Sequence, residues 1–171
     1  MLDFAIRFLC TIWVGVMAGF FFAFTAVVMP GLDATRPLEA MSAMQGINEA
    51  VRNPLFGIGF FGAMVLCVAV ILVSLVRPGG FSSWAALAGA VIFIIGVFGV
   101  TVGFNVPLNT SLAALDSTVP ENASAMTDYM EDWTLWNDVR TFFNVLAFGL
   151  LASSIAFGRA GGSTRRRPSV Q

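Results

Sequence analysis

The chain has 171 residues, enough for one domain, and is 57% hydrophobic against 11% charged, with a mean hydropathy of +0.84, a balance outside the range of soluble domains. All nine cations are arginine and histidine is absent, which excludes Ser-His-Asp and Cys-His catalysis, histidine-ligated haem and the Glu-x-x-His di-iron sites of helical bundles. Cys10 and Cys67 each sit inside an apolar run and there is no CxxC. They read as small buried hydrophobes rather than as a zinc or dithiol site.

In chain order, the first apolar run covers residues 4–29, interrupted only by Arg7 near its start. It is too long for a signal-peptide core and is expected to stay as a membrane span. Gly15-x-x-x-Gly19 offers another helix a close approach, and Pro30-Gly31 is expected to end the span. Pro37–Arg52 has helical character after an early proline, with Met44, Ile47 and Val51 on one side and Gln45, Asn48, Glu49 and Arg52 on the other. The plain reading is an interfacial helix with its polar side in water. Asn53-Pro54 ends it and opens the second span, 54–76, which closes on Arg77-Pro78-Gly79-Gly80.

The third span, 83–104, opens with Trp84 and carries a seam of Gly96, Gly99 and Gly103, which suits close helix packing. It is expected to end at Asn105-Val106-Pro107-Leu108-Asn109. Residues 110–132 read as an acidic loop with short helical patches. The fourth span, 138–157, leads into a Gly/Ser-rich tail, 158–171, with Arg165-Arg166-Arg167, expected to be disordered. The fold class is therefore all-α: a four-transmembrane-helix bundle with short extracytoplasmic helical segments.

Charge sets an expected orientation. With four spans, Arg7, Arg77, Arg159 and Arg165–Arg167 share one side with Asp3 as the sole acid. Arg36, Arg52 and Arg140 share the other with all the remaining carboxylates. Arginine excess marks the cytoplasmic side, so both termini are expected there and both long loops outside, in a bacterial cytoplasmic membrane. Membrane lipids are then obligatory partners, and no nucleic-acid partner is expected.

One stretch stands apart, Trp133–Asn144, where a polar connection runs into the last span. At helical pitch Trp133, Trp136, Asn137, Arg140 and Asn144 fall within roughly 100° of each other. A guanidinium carried into a membrane is expected to face protein or a wet cavity. Asn48, Arg52, Asn53, Asn105 and Asn109 belong to the same outer end of the bundle. Two readings stand: an aromatic belt with asparagines locking helices together, and a pocket with apolar walls and a few directed polar groups, suited to a flat hydrophobic aromatic molecule.

An ordered set of short motifs carries a family resemblance. They are Gly19-Phe20-Phe21-Phe22-Ala23-Phe24 leading to Val28-Met29-Pro30-Gly31-Leu32, then Met44-Gln45-Gly46-Ile47-Asn48, Asn53-Pro54-Leu55-Phe56, Asn105-Val106-Pro107-Leu108-Asn109 and Trp133-x-x-Trp136-Asn137-x-x-Arg140. Together, over about residues 4–157, they resemble the anthrone oxygenase family of small four-helix membrane proteins, most of whose members are uncharacterised. The resemblance implies, for some members, oxidation of a tricyclic anthrone to an anthraquinone by molecular oxygen, with no cofactor and no metal.

Under that reading Arg140 is the candidate catalytic partner of a developing oxyanion, with Asn105 and Asn109 orienting phenolic groups. Asn48, Arg52, Asn53, Trp133, Trp136, Asn137 and Asn144 are the candidate ligand-binding residues. A base must come from a carboxylate or from the substrate's own phenolate. Asp138 points about 150° or more from the Arg140 stripe at helical pitch, and Glu49 has Arg52 at i+3 as an ordinary ion-pair partner. The alternative is a non-enzymatic membrane protein that binds a lipid or quinone-like molecule, or a structural partner of another membrane complex.

Overall fold

A computed structural model describes residues 2–163, and among them there are helices and no strand. Four helices are long and apolar enough to cross a membrane: α1 (Leu2–Asp33), α3 (Pro54–Val76), α4 (Gly80–Ala113) and α5 (Ala123–Ser163, entered through a 3-10 turn at Pro120–Asn122). A shorter helix, α2 (Pro37–Ala50), lies between the first two spans. Large apolar side chains such as Phe22, Val65, Leu72, Ile95 and Phe142 are exposed along the spans, which is the surface lipid requires. Arg165–Arg167 lie outside the described residues; α5 itself continues into the segment expected as a disordered tail.

Two expected helix ends are absent, and both for the same reason. Pro30 and Pro107 lack an N–H and crowd the preceding turn, so each should break its helix. Instead a π-helical turn absorbs each proline. Residues Phe24–Val28 widen so that Met29 N–H donates to the Phe24 carbonyl, and Thr101–Asn105 widen so that Val106 N–H donates to Thr101. With a further π segment at Phe93–Gly99, α4 passes through Pro107 and carries Asn105 and Asn109 as neighbouring turns of one helix. The expected acidic loop is likewise largely helical, since α5 starts at Ala123. What remains of the loop is pinned by Asp116, whose carboxylate accepts from the Thr118 hydroxyl (2.7 Å) and backbone N–H (2.8 Å). Those two bonds hold the Asp116 carboxyl below its usual pKa.

Two cores stack along the bundle axis. The membrane core joins Cys10, Val14, Phe21, Phe60, Ala63, Cys67, Phe93 and Leu151 from all four spans. The outer core joins Phe24, Met29, Met41, Met44, Leu112, Met126, Tyr129 and Trp133. Helix α2 supplies Ala40, Met41, Met44 and Asn48 to that outer core, so it is docked as a cap, and Asn48 lies on its protein-facing side. Gln45 fastens it by donating to the carbonyls of Leu112 and Leu115, both at 2.9 Å. At the opposite end Arg7 holds Asp3 (2.7 Å) and the Ser82 carbonyl (3.0 Å), and Ser82 donates to Ser154 (2.6 Å), tying the start of α1 to α4 and α5.

Spacing of the spans depends on particular glycines. A Cβ on Gly96 would come within 2.5 Å of the Phe143 ring and one on Gly89 within 2.9 Å of the Ala147 carbonyl, whereas Gly103 meets nothing within 4 Å. The seam thus follows Gly89 and Gly96, and Gly103 stands outside it. We expect Gly96→Ala to cost about 1–3 kcal/mol through overpacking and Gly103→Ala to be near neutral, measured as melting temperatures in detergent. The two cysteines face each other across α1 and α3 with their sulfurs 3.6 Å apart, and both are free thiols.

Candidate functional site

The polar cluster sits where the two cores meet. Its centre is Arg140 on α5, 5% exposed, with no carboxylate partner among the described residues. Its Nε and Nη2 donate to Asn137 Oδ1 (3.1 and 2.9 Å), and Nη1 donates to Thr101 Oγ1 on α4 (3.3 Å). The guanidinium also lies 4.2 Å from the Phe21 ring centroid and 5.0 Å from that of Trp133, within the range at which a ring face attracts a cation. Guanidinium stays protonated in proteins. A positive charge is therefore held in the bundle by amide, hydroxyl and ring faces instead of by an acid.

Asn137 extends the network to α1, donating to the Phe21 carbonyl (3.2 Å) and to Thr25 Oγ1 (2.9 Å). Thr25 in turn donates to Asp138 (2.7 Å). The helical-pitch argument that set Asp138 away from Arg140 holds for its direction, since it is exposed, yet α1 reconnects it through Thr25 and Asn137. One turn deeper, Asn144 is fully buried and bridges to α1, its nitrogen donating to the Val14 carbonyl (3.1 Å) and its oxygen accepting from Ala18 N–H (3.2 Å) with the amide turned to suit both. Asn144 joins helices and borders neither the groove between α2, α3 and α4 nor the cleft between α1 and α5.

A second layer lies outward of Arg140. Asn109 on α4 accepts at Oδ1 from the Trp133 indole N–H (2.7 Å) and from the Tyr129 hydroxyl (2.9 Å). Asn105 is 1% exposed; its nitrogen donates to the Trp133 carbonyl (3.3 Å) and its oxygen has no partner. Asn48 is 9% exposed; its side chain lies beside the Tyr129 hydroxyl, and its Nδ2 makes no well-formed hydrogen bond. Orphaned polar atoms this deep are rare, because each forfeits its hydration.

Beside this layer a groove of about 360 Å³ opens between α2, α3 and α4. Asn48, Asn109, Thr101 and Arg52 supply its polar lining, and Phe56, Phe60 and Phe61 its aromatic wall. Phe56 and Phe60 are stacked at 5.8 Å. Val102 and Val106, which also line it, are exposed, so the groove opens to the protein surface. Arg140 is one hydrogen bond away, behind Thr101. A larger cleft of about 520 Å³ between α1 and α5 touches the cluster only at Thr25. It carries Asp33 and Glu131, which disfavour an anionic ligand.

Of the residues the sequence singled out, Asn48, Arg52, Asn53 and Asn109 line the groove. Arg140, Asn137, Asn105 and Trp133 form the wall behind it. Arg52 is exposed and pairs with Glu49 (3.2 Å), and Asn53 caps α3 by accepting from Phe56 N–H (2.9 Å) while donating to the Ala50 carbonyl (2.6 Å). Trp136 is elsewhere, stacked on Phe104 with ring centroids 3.5 Å apart. Three contributors escaped sequence reading: Thr25, Thr101 and Tyr129. Thr101 had a usable signal, lying one turn before Asn105; Thr25 and Tyr129 had none stronger than their neighbours.

The anthrone oxygenase family profile matches residues 53–150, a stretch that contains α3, α4, the groove's aromatic wall and the Trp133–Arg140 cluster. The chain belongs to the anthrone oxygenase family. No curated protein and no solved structure matches it. For this anthrone oxygenase family member the match begins at the α3 cap, Asn53, and ends two turns beyond Asn144, so the motifs on α1 and α2 lie outside it.

Proposed function

We propose that this membrane protein oxidises an electron-rich aromatic of the anthrone or quinol class with molecular oxygen, in the groove between α2, α3 and α4. The observation that carries the reading is Arg140: a buried guanidinium without a carboxylate, one hydrogen bond from an aromatic-walled groove. An unpaired buried charge is costly, and an anionic oxygen placed near it would offset that cost. The arginine distribution favours an orientation with both termini in the cytoplasm and the groove at the extracytoplasmic end.

Chemically, an anthrone is a carbon acid. Loss of a proton gives an enolate, whose negative oxygen the positive field of Arg140 stabilises. The enolate passes one electron to molecular oxygen; the resulting superoxide and carbon radical combine, and protonation gives a hydroperoxide. Loss of water leaves the quinone, so one anthrone and one oxygen molecule yield one quinone and one water. No carboxylate lines the groove, which favours loss of the first proton to water at its mouth. Asn105 and Asn109 would orient phenolic groups, Asn48 and Arg52 would border the ligand, and the phenyl rings would keep the reacting carbon dry.

Binding without oxidation is the second reading, favoured by Arg140 reaching the groove only through Thr101. Oxygen uptake by the purified protein, offered anthrones and quinols in turn, separates the two. Consumption above autoxidation, at one oxygen per quinone formed, is the expected result. Uptake at the autoxidation rate with every compound would sink the oxidase reading and leave binding.

A further inference from the structure

The geometry points to Asn109 as the residue that reads a carbonyl oxygen on the ligand, with Trp133 setting its polarity. An asparagine amide can turn either its oxygen or its nitrogen outward, and the two ends present opposite hydrogen-bonding characters. Here the choice is forced. The indole N–H of Trp133 is donor-only and lies 2.7 Å from one end of the Asn109 amide, so that end must be the oxygen. The Tyr129 hydroxyl then donates to the same atom at 2.9 Å. With Oδ1 turned inward and holding two donors, Nδ2 is left on the groove side, and it makes no hydrogen bond to the described residues.

A second donor sits in the same wall. Asn48 lines the groove, is 9% exposed, lies beside the Tyr129 hydroxyl, and makes no well-formed hydrogen bond through its Nδ2. The free amide N–H₂ of Asn109, with that of Asn48 held only loosely by Tyr129, lies beside stacked phenyl rings and asks for an aromatic that carries an acceptor oxygen. A ketone, a quinone or a phenolate has one; a bare polycycle does not. This rests on the groove being the ligand site, and it holds whether or not oxidation follows.

The test is a pair of flat tricyclic probes, 9-fluorenone and fluorene, differing by the carbonyl oxygen, titrated into the purified full-length protein. The wild type is expected to bind fluorenone about five- to tenfold more tightly, the scale of one neutral hydrogen bond. Asn109→Asp keeps an oxygen for Trp133 and Tyr129 while turning the outward atom from donor to acceptor, so it should abolish the preference. Tyr129→Phe should retain it, because the indole alone fixes the amide. Equal affinities in the wild type, or a preference that survives Asn109→Asp, would overturn the assignment. Ketone preference without oxygen uptake would keep it and remove only the oxidase reading.

Discussion

Replacing Asn137 by leucine is expected to destabilise the protein by about 3 kcal/mol, read as a fall in melting temperature in detergent. The side chain is fully buried and makes four hydrogen bonds: two from Arg140, one to Phe21 and one to Thr25. Interhelical hydrogen bonds within membranes are worth about 0.6–1.7 kcal/mol each, and bonds to a charged group about 1.5–3 kcal/mol. Without Asn137 the guanidinium retains only Thr101 and two ring faces. Leucine fills the space but leaves the Arg140 charge poorly solvated. A melting temperature equal to that of the wild type would mean that the network contributes nothing to holding α1 against α5.

Arg140→Lys is expected to leave the fold in place and to lower the rate of anthrone-dependent oxygen uptake by about tenfold. That is less than the loss of about a hundredfold or more when a direct oxyanion donor is removed, because Arg140 stands behind Thr101 and lysine keeps its charge. Lysine preserves the positive charge and one bond to Asn137, but it lacks the planar fork that bonds Asn137 twice and Thr101 once while lying over Phe21. Melting temperature and initial rate should be followed on the same preparation. An unchanged rate in a folded variant would show that the guanidinium geometry does not stabilise the oxyanion. Loss of the fold together with the rate would assign Arg140 to helix locking instead.

Four spans were legible because lipid imposes a severe constraint: a helix must satisfy its own backbone and present about twenty apolar residues. Nothing in a linear pattern shows how a proline inside such a helix will be handled. Pro30 and Pro107 look like terminators, and both are carried through by π-helical turns whose widened hydrogen bonds supply the missing register. That change alone moves Asn109 from a loop to a helix, where its amide meets Trp133. The reading of α2 went astray for a related reason. Its Gln45 looked solvent-facing by periodicity, but the carbonyls that receive it, Leu112 at the end of α4 and Leu115 just beyond, lie more than sixty residues away in sequence.

By itself the sequence determined the all-helical class and the four apolar spans, because hydropathy over twenty residues is a local quantity. It also singled out the Trp133–Asn144 stripe, because Arg and Asn at helical spacing in an apolar run are conspicuous wherever they point. Only the tertiary structure divided that stripe. It assigned Asn144 and Asn137 to bridging α1, Trp136 to a stack on Phe104, and Arg140 to a place behind Thr101 at the groove. Hydrogen-bond direction is a property of pairs, and each of these pairs joins residues on different helices that only packing brings within 3–4 Å.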